Sequence, residues 1–190
     1  MAAWFVTDHH FRHGATLRPD HCNRQFGSTD EMDEFILNAH NQIVDDNDDV
    51  YLLGDFVFGE GKQSAAHSLL SRMKGRKHWI LGNHDNRRAA GSLKQAGLVS
   101  TVEDYLEISI HKQRIVLCHY PILSWNGIRK NTWHLHGHCH GQLGWNAYQR
   151  ILDVGVDTAW GSHQRYYPYS FLEIADLMRQ KIYHEPVGTF

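Results

Sequence analysis

Short apolar runs and helix-like spacings alternate along the first half of the chain. Three apolar runs predict buried strands, at residues 4–7, 49–53 and 78–81. Apolar positions three or four residues apart predict three helices, over residues 28–44, 62–73 and 86–96. The first helix begins at Ser28-Thr-Asp-Glu31, a pattern typical of a capping box, after a polar loop over residues 11–28.

The second half of the chain is richer in strand patterns. Two segments, Tyr105–Ile110 and Gln113–Cys118, predict a hairpin that turns at His111 and Lys112. Further strands are predicted near residues 132–136 and 150–154, and a last helix near 170–180. Together the two halves predict an α/β fold with a mixed sheet or a pair of sheets covered by helices. No repeat or linker divides residues 1–190, so we predict a single domain.

Composition and charge narrow the function classes. The chain has 190 residues, 42% of them hydrophobic, which is too apolar for a disordered protein. Its net charge is −2, so no overall field attracts it to nucleic acid or to a membrane surface. No segment reaches the roughly 20 apolar residues of a membrane span. The three scattered cysteines, Cys22, Cys118 and Cys139, favour a reducing compartment, and we predict a cytoplasmic protein.

Polar clusters follow the apolar runs, at the strand ends where open α/β folds bind ligands. They are Asp8-x-His10, Gly54-Asp55, Gly82-Asn83-His84-Asp85, Cys118-His119 and Gly137-His138-Cys139-His140-Gly141. In an extended backbone, residues two apart project to the same side, so each D-x-H or H-x-H pair would converge on one point. The same alternation places Cys118 in the core, behind His119. Taken alone, each of the first two clusters is better explained by a turn or a helix cap than by a metal site.

The candidate ligands form one chemical set of carboxylate, imidazole and amide groups without a thiolate. They are Asp8, His10, Asp55, Asn83, His119, His138 and His140. Such donors argue against a structural zinc site and fit Mn²⁺, which we favour, with Fe, catalytic Zn²⁺ or Ni²⁺ as alternatives. Seven ligands are too many for one catalytic ion that keeps open positions. Two ions about 3.5–4 Å apart, bridged by Asp55 and a water, account for the number.

In this order the motifs D-x-H, G-D, G-N-H-D, a lone histidine after a strand and G-H-x-H resemble the calcineurin-like metallophosphoesterase family. The opening, Thr7-Asp-His-His-Phe-Arg-His13, is similar to a small branch seen in bacteria and their viruses. The resemblance implies a four-layer αββα sandwich of two mixed β-sheets flanked by helices. It also implies residue roles: Asp8, His10 and His140 at one ion, Asn83, His119 and His138 at the other, Asp55 as the bridge, His84 as the catalytic histidine and Asp85 as its orienting carboxylate. No arginine follows Gly54-Asp55, which argues against a protein phosphatase.

We therefore hypothesise a dinuclear metal-dependent phosphoesterase. A hydroxide that bridges the two ions would attack phosphorus, and His84 would protonate the leaving oxygen. A chain of this size leaves little room for a cap over the site, which favours phosphodiesters, including those of nucleotides. The alternatives are a phosphomonoesterase and a non-catalytic scaffold of the same fold.

Other polar and aromatic residues have weaker arguments. His13 is expected to bind substrate phosphate or to support a metal ligand. Arg87 is a candidate for phosphate binding, with a solvated helix start as the alternative. Packing is expected for five aromatic residues, with base stacking as the alternative: Trp125, Trp145, Trp160, Tyr166 and Tyr167. Ten of the sixteen histidines are expected in structural or surface positions: His9, His21, His40, His67, His78, His111, His134, His136, His163 and His184.

Overall fold

A computed structural model describes residues 1–147, 149–158 and 166–182 of the chain, and these residues form two β-sheets and four α-helices. The strands are β1 (Ala3–Val6), β2 (Asp49–Leu52), β3 (Arg76–Ile80), β4 (Thr101–Glu103), β5 (Tyr105–Ile110), β6 (Gln113–Cys118), β7 (Trp133–His136), β8 (Ile151–Asp153) and β9 (Tyr169–Ser170). The helices are α1 (Thr29–Ile43), α2 (Lys62–Arg72), α3 (Arg87–Gln95) and α4 (Phe171–Arg179). Short 3₁₀ helices lie at Gly14–Leu17 and Ile128–Lys130.

The first sheet has five strands in the order β4-β3-β2-β1-β9, and its centre is parallel. Val6 of β1 lies opposite Leu52 of β2, which in turn lies opposite Trp79 of β3. The edge strand β9 is antiparallel to β1. Because β1, β2 and β3 run in the same direction, the residues that follow them meet at one edge of the sheet.

The second sheet has four strands in the order β5-β6-β7-β8. β5 and β6 form the predicted antiparallel hairpin, and β6, β7 and β8 are parallel. The turn residues His111 and Lys112 have φ angles of 50° and 68°, as a tight two-residue hairpin turn requires. Two contacts join this sheet to the end of β1: Thr7 forms an isolated bridge with Gly155, and its carbonyl accepts the N–H of Val156 at 3.2 Å.

Two apolar clusters hold the layers together. Val50 belongs to the cluster between the first sheet and helices α1, α2 and α3. Its neighbour Tyr51 faces the second cluster, which lies between the sheets and includes Leu117 and, from α4, Ile174. These contacts confirm the predicted α/β fold of two mixed sheets flanked by helices. Among the described residues, every helix is too short or too polar to span a membrane.

Several local features differ from the sequence-based expectation. The short strands β4 and β9 were not predicted, and the polar loop over residues 11–28 contains a 3₁₀ helix. At α1, Ser28 accepts the N–H of Glu31, but the Glu31 carboxylate accepts the N–H of Gly27 at 2.7 Å instead of closing the box. The reciprocal capping box occurs at α4, between Ser170 and Glu173. Trp160, His163 and His184 lie outside the described residues.

Candidate metal centre

The chain leaves β1 in a sharp turn. Asp8 and His10 have φ angles of 57° and 48°, so the extended backbone assumed for the D-x-H pair is wrong. The turn is fixed by the neighbouring strand end: the Asp8 N–H donates to the Gly54 carbonyl at 3.1 Å, and the His10 N–H donates to the Asp55 carbonyl at 3.0 Å. Both side chains are buried, with Asp8 0% and His10 3% exposed.

The carboxylate of Asp55 lies at the centre of the polar edge. Its Oδ2 is 3.5 Å from His10 Nε2 and 3.4 Å from His119 Nε2. Its Oδ1 accepts the backbone N–H of His84 at 2.9 Å. Burial alone would raise the pKa of Asp55, but the hydrogen bond and charge of His119 and the His84 N–H hold that pKa at about 2. This carboxylate therefore faces histidines on both sides.

His138 and His140 do not project to one side, as the H-x-H spacing had suggested. Their φ angles are 70° and 48°, so residues 137–141 form a loop rather than a strand. His138 lies with Asp55 and His119, whereas His140 lies with Asp8 and His10. In each of these two groups the ligand atoms are within 4.8 Å of one another.

Asn83 completes the second group. Its Oδ1 is 3.2 Å from His119 Nε2 and 2.9 Å from His138 Nδ1. The structure thus brings together all seven side chains that the sequence proposed as ligands. Five of the seven have left-handed φ angles, a conformation that L-residues rarely adopt and that concentrates at functional sites: Asp8, His10, Asp55, His138 and His140.

The residues present fit divalent cations. Asp8 Oδ1 and His10 Nε2 are buried and have no hydrogen-bond partner among the described residues. Burial raises the pKa of Asp8 to about 7, because a buried carboxylate without a compensating cation favours its neutral form. The backbone also leaves room for the Asp55 carboxylate, because a Cβ on Gly82 would lie 2.2 Å from Asp55 Oδ1. Oxygen and imidazole donors are the ligands of Mn²⁺, Fe and catalytic Zn²⁺.

His84 lies beside both groups without belonging to either. Its ring is half-exposed, and its Nε2 lies 3.9 Å from Asp55 Oδ2. The ring centroid is 5.4 Å from that of His10 and 5.2 Å from that of Phe58. Its carbonyl accepts a hydrogen bond from Lys62 Nζ at 2.7 Å.

Asp85 has other partners than the predicted one. Its carboxylate accepts the N–H groups of Gly82, Asp55 and Phe56 at 2.9 to 3.1 Å and the indole N–H of Trp79 at 3.1 Å. Among the described residues it makes no hydrogen bond to His84. Asp85 therefore fixes the two loops that carry Asp55 and His84, and any effect on the His84 ring is indirect.

The two proposed substrate-binding residues have different surroundings. His13 stacks on Phe58 with 3.8 Å between ring centroids, and its Nδ1 is 3.2 Å from His10 Nδ1. Burial, with the charge of nearby histidines, lowers the pKa of His13 to about 4. Arg87 instead forms an ion pair with Asp104, and both side chains are exposed. His13 therefore contacts a candidate ligand, whereas Arg87, at the exposed start of α3, is paired with an acidic residue.

Two residues that contact the site were not identified from the sequence. Asp157 accepts a hydrogen bond from His140 Nδ1 at 2.7 Å, and Arg24 binds the Asp157 carboxylate. Burial would lower the pKa of His140, but the hydrogen bonds to Asp157 and Cys22 and the charges of Asp8 and Asp157 raise it to about 11. Asp157 lies shortly after β8, and no sequence signal marked Arg24.

The remaining assignments concern packing. Cys118 is buried, as predicted, and none of the three cysteines forms a disulfide. His40 and His134 are buried away from the two groups, and burial lowers the pKa of each to about 4. Trp125 packs against His134 at 5.3 Å between ring centroids, which fits the packing alternative for this residue.

Two stacked mixed sheets, with carboxylate, imidazole and amide side chains gathered at their strand ends, define the class of α/β metallohydrolases. Within that class the chain belongs to the calcineurin-like phosphoesterase family, whose family model matches residues 1–181. This membership implies metal-dependent hydrolysis of phosphoric esters.

Individual relatives are distant. A protein of Methanocaldococcus jannaschii described as uncharacterized is 29% identical over 137 residues, which cover 72% of this chain and 68% of the relative. The gene 66 protein of Mycobacterium phage L5 is 30% identical, with 83% of this chain and 87% of the relative covered. A crystal structure of an Aquifex aeolicus protein of unknown function has the same fold, with a TM-score of 0.68 at 24% identity over 93% of this chain and 98% of that one.

Proposed function

We propose that this protein hydrolyses phosphodiesters with the help of two divalent cations, held by the two groups described above. The observation that carries the proposal is the position of the Asp55 carboxylate. Its Oδ2 lies 3.5 Å from a histidine of the first group, His10, and 3.4 Å from a histidine of the second, His119. A single carboxylate so placed can serve two cations at once.

The seven candidate ligands divide into Asp8, His10 and His140 for one cation and Asn83, His119 and His138 for the other, with Asp55 shared. When bound, such cations lower the pKa of water and neutralise phosphoryl oxygens. His84 is proposed to donate a proton to the leaving oxygen, since its ring reaches the centre of the site from the solvent side. His13 orients His10 through the contact between their Nδ1 atoms.

The diester preference rests on the exposure of the site. His138 and Asn83 are exposed, and the His84 side chain is 39% exposed. A second ester substituent, such as a nucleoside, could therefore extend into solvent without meeting these side chains. Mn²⁺ is the proposed metal because the donors are oxygen and imidazole. A cytoplasmic location stays a prediction, consistent with cysteines that form no disulfide.

Hydrolysis of bis-p-nitrophenyl phosphate and of p-nitrophenyl phosphate tests the proposal directly. Metal-free protein is assayed alone and after addition of Mn²⁺, Fe²⁺, Ni²⁺ or Zn²⁺, with bound metal counted in each sample. We expect turnover only with metal, and a higher kcat/KM for the diester. A higher kcat/KM for the monoester would instead assign a phosphomonoesterase.

A non-catalytic scaffold is the second candidate, and the same samples separate it. A scaffold would bind two ions per chain and show no turnover on either ester. A His119→Ala variant serves as the control, because it removes a candidate ligand and should abolish metal-dependent turnover in an enzyme. Equal rates in this variant and the wild-type protein would refute the assignment of the active site.

A further inference from the structure

Arg24 is a buried arginine whose entire guanidinium is engaged. The residue is 1% exposed, although it comes from the polar loop before α1. Nε and Nη2 donate to the two carboxylate oxygens of Asp157, both at 2.7 Å. Such a two-point pair fixes the plane of the carboxylate as well as its position.

The same guanidinium also holds the turn that follows β1. Nη2 donates to the carbonyl of Asp8 at 2.7 Å, and Nη1 donates to the carbonyl of His9 at 2.6 Å. These carbonyls belong to the left-handed turn that carries Asp8 and His10. Arg24 therefore supports the backbone of Asp8 directly, and that of His10 through the carbonyl of the preceding residue.

Asp157 carries the effect to the third ligand of that group. Its Oδ2 accepts a hydrogen bond from His140 Nδ1 at 2.7 Å, and this leaves Nε2 as the ring nitrogen available to a cation. Cys22 Sγ is farther from the same nitrogen, at 3.6 Å. Arg24 thus binds Asp8 directly and is linked to the other two members of the first group, to His10 through His9 and to His140 through Asp157.

The second group is supported differently. His119 Nδ1 contacts the carbonyl of Leu53 at 2.7 Å, so a neutral backbone group sets the orientation of this ring. Asp85 holds the loops that carry Asp55 and Asn83. Among the described residues, Arg24 makes no hydrogen bond to His119, His138 or Asn83.

We propose that Arg24 is a positioning residue for only one of the two cation sites, the site of Asp8, His10 and His140, and that Asp157 transmits its effect to His140. This inference rests on the proposed function and adds two residues that position the ligands of one cation. It predicts that the two binding steps can be weakened separately.

The test measures both Mn²⁺ dissociation constants by competition with a chelator, together with the thermal unfolding temperature of the metal-free protein. The variants are Asp157→Asn, Arg24→Lys and Arg24→Met. Arg72→Met is the matched control, because Arg72 also makes two hydrogen bonds to a carboxylate, that of Glu34, but on the exposed surface. We expect Asp157→Asn to raise one dissociation constant by about 10–100-fold and to leave the other unchanged.

Arg24→Lys keeps the charge but loses the planar fork, and we expect it to weaken the same step. If Arg24→Met does not fold, the inference is still tested by Asp157→Asn and Arg24→Lys. A lower unfolding temperature with both dissociation constants unchanged would show a purely structural role and overturn the inference, and so would equal weakening of both steps. Failure of the proposed function looks different, since the wild-type protein itself would then fail to bind two ions or to hydrolyse either ester.

Discussion

Replacing His84 with glutamine separates proton donation from metal binding. The backbone of His84 is held at both ends without its ring: the N–H donates to Asp55 Oδ1 at 2.9 Å, and the carbonyl accepts from Lys62 Nζ at 2.7 Å. The ring itself is half-exposed and lies outside both ligand groups. His84→Gln should therefore leave the loop, the metal content and the fold in place.

The expected loss follows from the proposed role. A positioned general acid contributes about 10²–10⁴-fold to the rate, which equals about 2.7–5.4 kcal/mol of transition-state stabilisation at 1.36 kcal/mol per tenfold. The full loss applies only when the leaving oxygen needs a proton. The free energy of unfolding should change by no more than about 0.5 kcal/mol, because little apolar area is removed at a half-exposed position.

The assay compares kcat/KM for a series of phosphodiesters whose leaving groups range from p-nitrophenol to a simple alcohol. We expect His84→Gln to match the wild-type protein on the nitrophenyl ester and to fall about 10²–10⁴-fold on the alkyl ester. His67→Gln is the control, since His67 is an exposed histidine on α2. Equal losses across the whole series, or no loss on the alkyl ester, would refute proton donation by His84.

Three further predictions concern the supports of the site and the pH dependence of stability. Gly82→Ala should abolish binding of at least one Mn²⁺, because the added Cβ would lie 2.2 Å from Asp55 Oδ1. Its control is Gly91→Ala, where nothing lies within 4 Å of the added Cβ and the stability of the helix should rise by about 0.5–1 kcal/mol. Metal content and urea denaturation are measured for both variants, and full metal binding by Gly82→Ala would contradict the argument. Asp85→Ala leaves three backbone N–H groups without their acceptor and should lower the free energy of unfolding by at least about 3 kcal/mol, with Asp85→Asn less affected; equal stability of all three proteins in urea would be inconsistent with this role. Burial, followed by the charge of a neighbouring histidine, lowers the pKa of His134 from 6.5 to about 4, so the unfolded chain takes up the proton first and up to about 3 kcal/mol of stability is lost as the pH falls from 6.5 towards 4. His134→Gln should remove that part of the pH dependence. Urea denaturation at pH 5 and pH 7.5 measures it, and an equal loss of unfolding free energy in both proteins between these pH values would rule out this role of His134.

The central strands were predictable because each is a short apolar run that packs on both faces. Val50 and Tyr51 illustrate this, since they enter different clusters on opposite sides of the first sheet. The two strands that were not predicted lack such a run. β4 is the three-residue segment Thr101–Glu103, and β9 has only two residues, so pairing with a neighbour defines each of them more than its own sequence does.

The candidate ligands were also predictable, but the backbone that presents them was not. Two side chains separated by one residue can converge in an extended segment, and this was the basis for grouping His138 with His140. The left-handed turn sends them instead to different groups, the division that the family resemblance implied. The residue types were a sufficient signal for the chemistry, whereas the φ angles depend on hydrogen bonds from distant strands.

Left-handed backbone at non-glycine residues costs about 1–3 kcal/mol each and persists only where the surroundings enforce it. At this site the enforcing groups are one acidic and one basic side chain. The Asp85 carboxylate binds the N–H of Asp55, and the Arg24 guanidinium binds the carbonyls of Asp8 and His9. Neither support contacts the turn held by the other among the described residues. Different side chains thus support the two turns. Substitutions at Arg24 should weaken the cation held by Asp8, His10 and His140, whereas substitutions at Asp85 disturb the shared Asp55 and should weaken both cations.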